Sequence, residues 1–150
     1  MSVLLRPAQP TDAGRCGDIL HGFTRDNDWM PDLHSAAETI AFCGTMIARR
    51  WVTVAELEGR VEGFLARDGA LIHSLYLSQQ RRGQGIGARL LDTAKAQSDR
   101  LELFAFQANP GAARFYLREG FSEAARSDGR DNDENLPDIK FIWSREATTT

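Results

Sequence analysis

Three glycines closely spaced after two arginines give Gln80-Arg81-Arg82-Gly83-Gln84-Gly85-Ile86-Gly87 the make-up of a phosphate-binding turn. Glycine adopts positive φ readily and lets the main chain approach an anion with no Cβ in the way. Successive N–H groups in such a turn, with the free donors opening the helix that follows, converge on the same oxygens. Arg81 and Arg82 can add charge-assisted hydrogen bonds. Gly83, Gly85 and Ala88 also satisfy the dinucleotide fingerprint G-x-G-x-x-G/A, but their setting does not suit it. Hairpins precede the motif where a βαβ array belongs, and Glu102 lies near the start of the next strand rather than its end. A nucleoside-triphosphate P-loop is excluded, because no Gly-Lys-Ser/Thr follows. A merely flexible turn before a helix would explain the glycines and leave the arginines unexplained. The chemistry indicated is the holding of a diphosphate.

The elements around this turn are legible from pattern. Residues 3–6 read as a short strand, and Pro10-Thr11-Asp12 as a turn and cap. A helix is expected over 13–24, with Ile19, Leu20 and Phe23 buried. Ser35 and Glu38 form a capping box for a second helix carrying Ile40, Phe42, Met46 and Ile47 inward. Strands at 51–57, 60–66 and 71–77 follow as a meander, turning at Glu58-Gly59 and at Asp68-Gly69. After the glycine turn, Ile86, Leu90, Leu91 and Ala94 share one helical face. Residues 101–106 form a strand, and Asn109-Pro110 opens a short helix that Gly120 ends. Strands at 121–126 and 139–143 flank a polar loop. The result is a mixed α/β (α+β) fold: a central, mostly antiparallel sheet flanked by helices. One domain is expected over 1–146, with 147–150 a disordered tail.

Bulk properties narrow the class. The chain has 150 residues, 42% hydrophobic and 26% charged, which suits one soluble domain with its own core. A net charge of −3 argues against a nucleic-acid partner. No apolar run approaches the roughly 20 residues of a membrane helix, so no membrane partner is expected. The start lacks a basic leader and an apolar core, so no signal peptide is expected. Cys16 and Cys43 have no metal-ligand spacing and read as free thiols in a cytoplasmic protein.

Two blocks then resemble a known family. Gln80-x-x-Gly83-x-Gly85 is similar to the Gln/Arg-x-x-Gly-x-Gly/Ala signature of the GNAT superfamily of N-acetyltransferases, whose turn holds the pyrophosphate of coenzyme A. Asn109-Pro110-Gly111-Ala112-Ala113-Arg114-Phe115-Tyr116, followed by Gly120-Phe121, looks like the family's Asn…Ala-Arg-x-Tyr…Gly-Phe segment. The resemblance implies an acetyl-CoA-dependent transfer to a primary amine, small or peptidic, without an acyl-enzyme. It also allows a homodimer. A different class keeps the same groove: a non-catalytic acyl-CoA sensor.

By this resemblance, coenzyme A is held by backbone groups of Leu75, Tyr76 and Leu77, by Gln80, Arg81, Arg82, Gly83, Gln84, Gly85, Ile86 and Gly87, and by Asn109. It likewise makes Tyr116 the general acid that protonates the leaving thiolate; a phenol with an ordinary pKa near 10 is competent for this. Read from periodicity alone, Tyr116 is a core aromatic and Asn109 a helix cap. His73 is the candidate base, although it shares strand parity with Leu71, Leu75 and Leu77 and belongs in the core unless the strand bulges. Glu56 and Glu62 are alternatives. Two loops flank the expected acceptor site. One supplies Trp29, Asp32 and His34; the other, an acidic run over 128–138, supplies Asp128 and Asp138, whose charge would attract a cationic amine.

Overall fold

The computed structural model describes residues 2–146, so the expected tail at 147–150 lies outside the described residues. Seven strands form one sheet in the order β1-β2-β3-β4-β5-β7-β6. One half, β1 (Leu4–Pro7), β2 (Val52–Leu57), β3 (Arg60–Asp68) and β4 (Leu71–Leu77), is antiparallel throughout. The other half, β5 (Arg100–Phe106), β7 (Asp138–Ser144) and β6 (Ser122–Ser127), is antiparallel as well. The halves meet where β4 and β5 run parallel, and they pair at one position, Leu71 with Glu102.

Each face of the sheet carries a helical layer. Helices α1 (Ala13–Asp26) and α2 (Ala36–Ala48) cover one face, enclosing Cys16, Ile19, Cys43, Met46, Val54 and Phe64. On the opposite face, α3 (Ile86–Gln97) and α4 (Pro110–Arg118) pack over Leu65, Leu90, Leu91, Leu101, Leu103 and Phe141. The turn residues behave as their chemistry requires. Glu58 and Gly59 both take positive φ (52° and 78°), as a tight right-twisted hairpin needs. The α2 cap is reciprocal: Glu38 N–H donates to Ser35 Oγ at 3.1 Å, and Ser35 N–H donates to Glu38 Oε1 at 3.0 Å.

The buried stripe of α2 differs from the expected one. Thr39, Cys43, Met46 and Ile47 face the core, which places Phe42 one step around the helix and 50% exposed. Two β-bulges also reset the strand parity. On β3, Ala55 faces Gly63 while Glu56 faces Val61, so Glu62 is the extra residue. On β4, Ala66 faces Ser74 while Arg67 faces Ile72, so His73 is the extra residue. One added residue moves every side chain beyond it to the other face. Ile72 and Leu75, of opposite parity, therefore both pack in the α3 core.

Helices α1 and α2 touch at Gly17, where a Cβ would lie 2.5 Å from Ile40 Cγ1 and 2.8 Å from its Cα. Ala is the better helix former by about 1 kcal/mol, yet this overpacking costs about 1–3 kcal/mol. Gly17→Ala should therefore lower the thermal midpoint. A melt in which the midpoint rises would show that the helices separate freely.

Candidate active site

Beyond Leu71, β4 and β5 diverge, and the edge of β4 that faces β5 loses its strand partner. Main-chain groups in such an edge must find another partner. A cavity of about 580 Å³ fills the opening, between Leu75, Tyr76 and Leu77 on one side and Leu103, Ala105 and Phe106 on the other. It runs to the glycine turn, where Arg82, Gly83, Gly85 and Gly87 line it, and to α4, where Asn109, Phe115 and Tyr116 do. A second cavity of about 660 Å³ lies on the α1–α2 side. Three residues line both: His73, Ser74 and Tyr76, all on the bulged segment of β4.

The glycine turn has the backbone conformation that suits an anion. Gly83 and Gly85 sit at φ of 77° and 83°, with open space where each Cβ would be. Gly85 caps α3, whose first N–H groups have no partner within the helix. Gly87 has a different reason to be small: a Cβ there would lie 3.2 Å from the Phe115 ring. Of the expected turn ligands, Gln80, Arg81, Gln84 and Ile86 do not line the cavity. Ile86 is fully buried in the core, and Gln84 Nε2 donates to the Gln80 carbonyl at 3.2 Å.

Arg81 turns away from the cavity towards β3. Its Nε donates to Glu62 Oε2 at 2.6 Å, and Arg15 of α1 donates to Glu62 Oε1 at 2.6 Å. Burial would raise the Glu62 carboxyl, but hydrogen bonds from Arg81 and Arg15 outweigh it and hold the group below its ordinary value. A carboxylate so held is a poor proton acceptor, so Glu62 is a strut between α1 and the glycine turn. Glu56 is similarly occupied, accepting from Arg6 at 3.2 Å.

Tyr116 packs its ring on Phe121 and Phe141, with centroids at 5.6 and 5.8 Å. Its half-buried phenol has no hydrogen-bond partner among the described residues, and burial pushes its pKa above the ordinary 10. Asn109 caps α4, accepting from Ala112 N–H at 3.1 Å, and still lines the cavity. The β4 bulge carries His73 out of the core position that strict alternation assigns it. It is exposed and stacked on Trp51, centroids 4.9 Å apart and planes 1° from parallel. Burial, reinforced by nearby Glu134, pushes the Tyr76 phenol up to about 12.

The expected acceptor residues divide. Asp32 and His34 line the second cavity. Trp29 does not; it packs edge-on against Phe23 and Phe106. Asp128 and Asp138 are also absent from its walls. Asp128 accepts from Arg130 N–H at 3.0 Å, while Asp138 accepts from Ser127 Oγ at 2.6 Å and Asn132 Nδ2 at 3.3 Å. These bonds shape the loop, and the acids it delivers to the cavity are Asp133 and Glu134. Neither has an ion-pair partner among the described residues, and no Lys or Arg lines that cavity. Sequence reasoning also missed Ser74, whose type carries no signal and whose position depends on the bulge. It missed Arg118 too, which lines the first cavity from the end of α4.

Comparison with known proteins agrees with this geometry. The family model described as an acetyltransferase (GNAT) domain matches residues 48–123, from the end of α2 through the glycine turn and α4. The chain belongs to the GNAT family of acetyltransferases. It is 30% identical over 93 residues to the peptidyl-lysine N-acetyltransferase YjaB of Salmonella typhimurium, a match spanning 62% of this chain and 63% of that protein. In structure it resembles apo-form YjaB from Escherichia coli, with a TM-score of 0.79 at 20% identity, covering 95% of this chain and 98% of the other. It also resembles yncA, a putative acetyltransferase from Salmonella typhimurium solved with its cofactor acetyl-CoA, with a TM-score of 0.73 at 16% identity, covering 97% and 95%. These likenesses establish the shared fold.

The Glu62 strut carries a pH signature. A carboxyl held below its ordinary 4.5 adds stability above that pH and loses it as pH falls through the lowered value. Glu62→Gln removes the buried carboxylate that Arg15 and Arg81 share and should cost on the order of 3 kcal/mol at pH 7. Urea unfolding should show the gap between wild type and variant narrowing from pH 6 towards pH 3. A constant gap would mean that Glu62 contributes by shape and not by charge.

Proposed function

We propose that this protein is an acetyl-CoA-dependent N-acetyltransferase that transfers acetyl directly to a positively charged primary amine. One observation carries the reading: two cavities, one ending in a turn suited to an anion and the other lined by Asp133 and Glu134, which have no ion-pair partner among the described residues, meet at the same three residues of β4.

The residues fit the group. The glycine turn, the α3 N-terminus and Arg82 suit a diphosphate, and the unpartnered edge of β4 suits an extended amide-bearing arm. When bound, acetyl-CoA supplies an activated acyl group as a thioester. Backbone N–H donors of β4 facing the gap polarise its carbonyl, as oxyanion-directed donors do. The acceptor ammonium first loses a proton to water in the second cavity. The neutral nitrogen then bonds to the acetyl carbon as the carbon–sulfur bond breaks, and the nitrogen sheds a second proton. Tyr116 gives its proton to the departing sulfur, and water re-protonates the phenolate. A tyrosine with its ordinary pKa near 10 is already protonated at neutral pH, and burial shifts Tyr116 further in that direction.

Cysteine chemistry is disfavoured. Burial pushes the Cys16 thiol up to about 12 and the Cys43 thiol up to about 11, which removes the thiolate an acyl-enzyme needs. The acidic second cavity favours a cationic acceptor, and the peptidyl-lysine activity in the name of the Salmonella relative is consistent with that charge.

Two experiments test this assignment. Tyr116→Phe should lower kcat about 100-fold while coenzyme A binding, measured by calorimetry, stays as in wild type; equal losses in both would remove Tyr116 as the acid. Asp133→Asn combined with Glu134→Gln should raise the amine KM about threefold to tenfold and flatten its salt dependence. Steady-state thiol release across a salt series checks it, and unchanged kinetics would make the loop simple surface.

A further inference from the structure

Ser74 is a buried serine at the place where the two cavities meet. It is 5% exposed, and its side chain makes no hydrogen bond among the described residues. Among the described residues, Ser78 Oγ is the sealed, unpartnered side-chain oxygen. Ser74 is absent from that class, and as a residue it lines both cavities. A hydroxyl at such an opening is placed to accept a hydrogen bond from a molecule that enters it.

The register fixes which way this oxygen faces. Ser74 pairs with Ala66, and Tyr76 two residues on pairs with Phe64, so both project towards the α1–α2 face. Tyr76 packs on Phe23 of α1 with centroids 5.1 Å apart, confirming that side. His73, the extra residue of the bulge, borders the same passage. Ser74 therefore stands at the inner end of the acceptor cavity, where an incoming nitrogen meets the first cavity. The nearest acids of the loop, Asp133 and Glu134, line the same cavity, and Glu134 acts on the Tyr76 phenol.

We propose that Ser74 Oγ is the hydrogen-bond acceptor that receives the N–H of the acceptor amine and orients its lone pair towards the thioester carbon, in a site for primary alkylammonium groups. This rests on the transferase reading above. A nitrogen entering from the α1–α2 side has charge stabilised behind it by the loop acids and one N–H fixed by Ser74. The remaining lone pair then points into the gap between β4 and β5. A primary amine has the N–H to spare once it bonds to carbon, whereas a tertiary amine has none.

Ser74→Ala is the discriminating variant, because it removes the oxygen, keeps the small volume and leaves no donor unmatched in the protein. Wild type and variant are assayed for thiol release from acetyl-CoA with Nα-acetyl-lysine amide, cadaverine, spermidine and a glycyl peptide. With the amine that wild type uses best, the variant's kcat/KM should fall about tenfold, the worth of one hydrogen bond to a polar partner. Coenzyme A affinity by calorimetry and the thermal midpoint should both match wild type. Equal kcat/KM in the two proteins overturns the role of Ser74 while the transferase reading stands. A fall matched by weaker coenzyme A binding or a lower midpoint also overturns it, as a packing effect. Wild type releasing no thiol with any of these amines overturns the transferase reading and the Ser74 role together.

Discussion

Leu71 and Glu102 form the one parallel contact between β4 and β5, and the remainder of the site depends on its being the only one. Had the pairing continued, the polar edge of β4 would be satisfied within the sheet and no opening would exist. Two antiparallel halves, each complete in its own ladder, make the divergence affordable. The helices on each face hold the halves at this angle. The N-terminus of α3 is thereby aimed at one end of the opening, and α1 and α2 wall the other.

Bulges supply the second layer of control. An unbroken β4 would place His73 in the core. The extra residue instead brings His73 to the surface beside Trp51 and turns Ser74 and Tyr76 towards the α1–α2 face. The bulge on β3 does comparable work for Glu62, whose carboxylate joins Arg15 of α1 to Arg81 of the glycine turn. The two bulges lie on neighbouring strands, in the ladders on either side of β3. The strand ladder thus sets where cavity residues can stand, and its irregularities set which ones do.

What was legible in the sequence was what depends on neighbours in the chain. The glycine spacing, the Ser35–Glu38 capping box and the hairpin at Glu58-Gly59 all act over a few residues, and they predicted the element order well. The candidate site was legible where backbone conformation shapes it, as at Gly83 and Gly85, which line the cavity at positive φ. It was obscured where distant side chains compete. Arg81 looked like a phosphate ligand because Glu62, 19 residues earlier, gives no local sign of claiming it. Asp128 and Asp138 looked like acceptor ligands because an acidic loop does not announce which of its carboxylates are spent on its own turns. Phe42 looked like core because a helix with many apolar residues has no single obvious inward face.

The loop between β6 and β7 separates its labour in a way that bears on how such proteins diversify. Its path is held by Asp128, Asn132, Asp138 and Gly129, whose positive φ and contact with the Leu136 main chain leave no space for a Cβ. The residues it presents to the cavity, Asp133 and Glu134, take no part in that scaffold. Substitution at those two positions can alter the charge shown to an incoming molecule while the backbone that presents it stays fixed. Acceptor preference on this fold is accordingly free to drift by exchange of tip residues, without the loop or the sheet beneath having to be rebuilt.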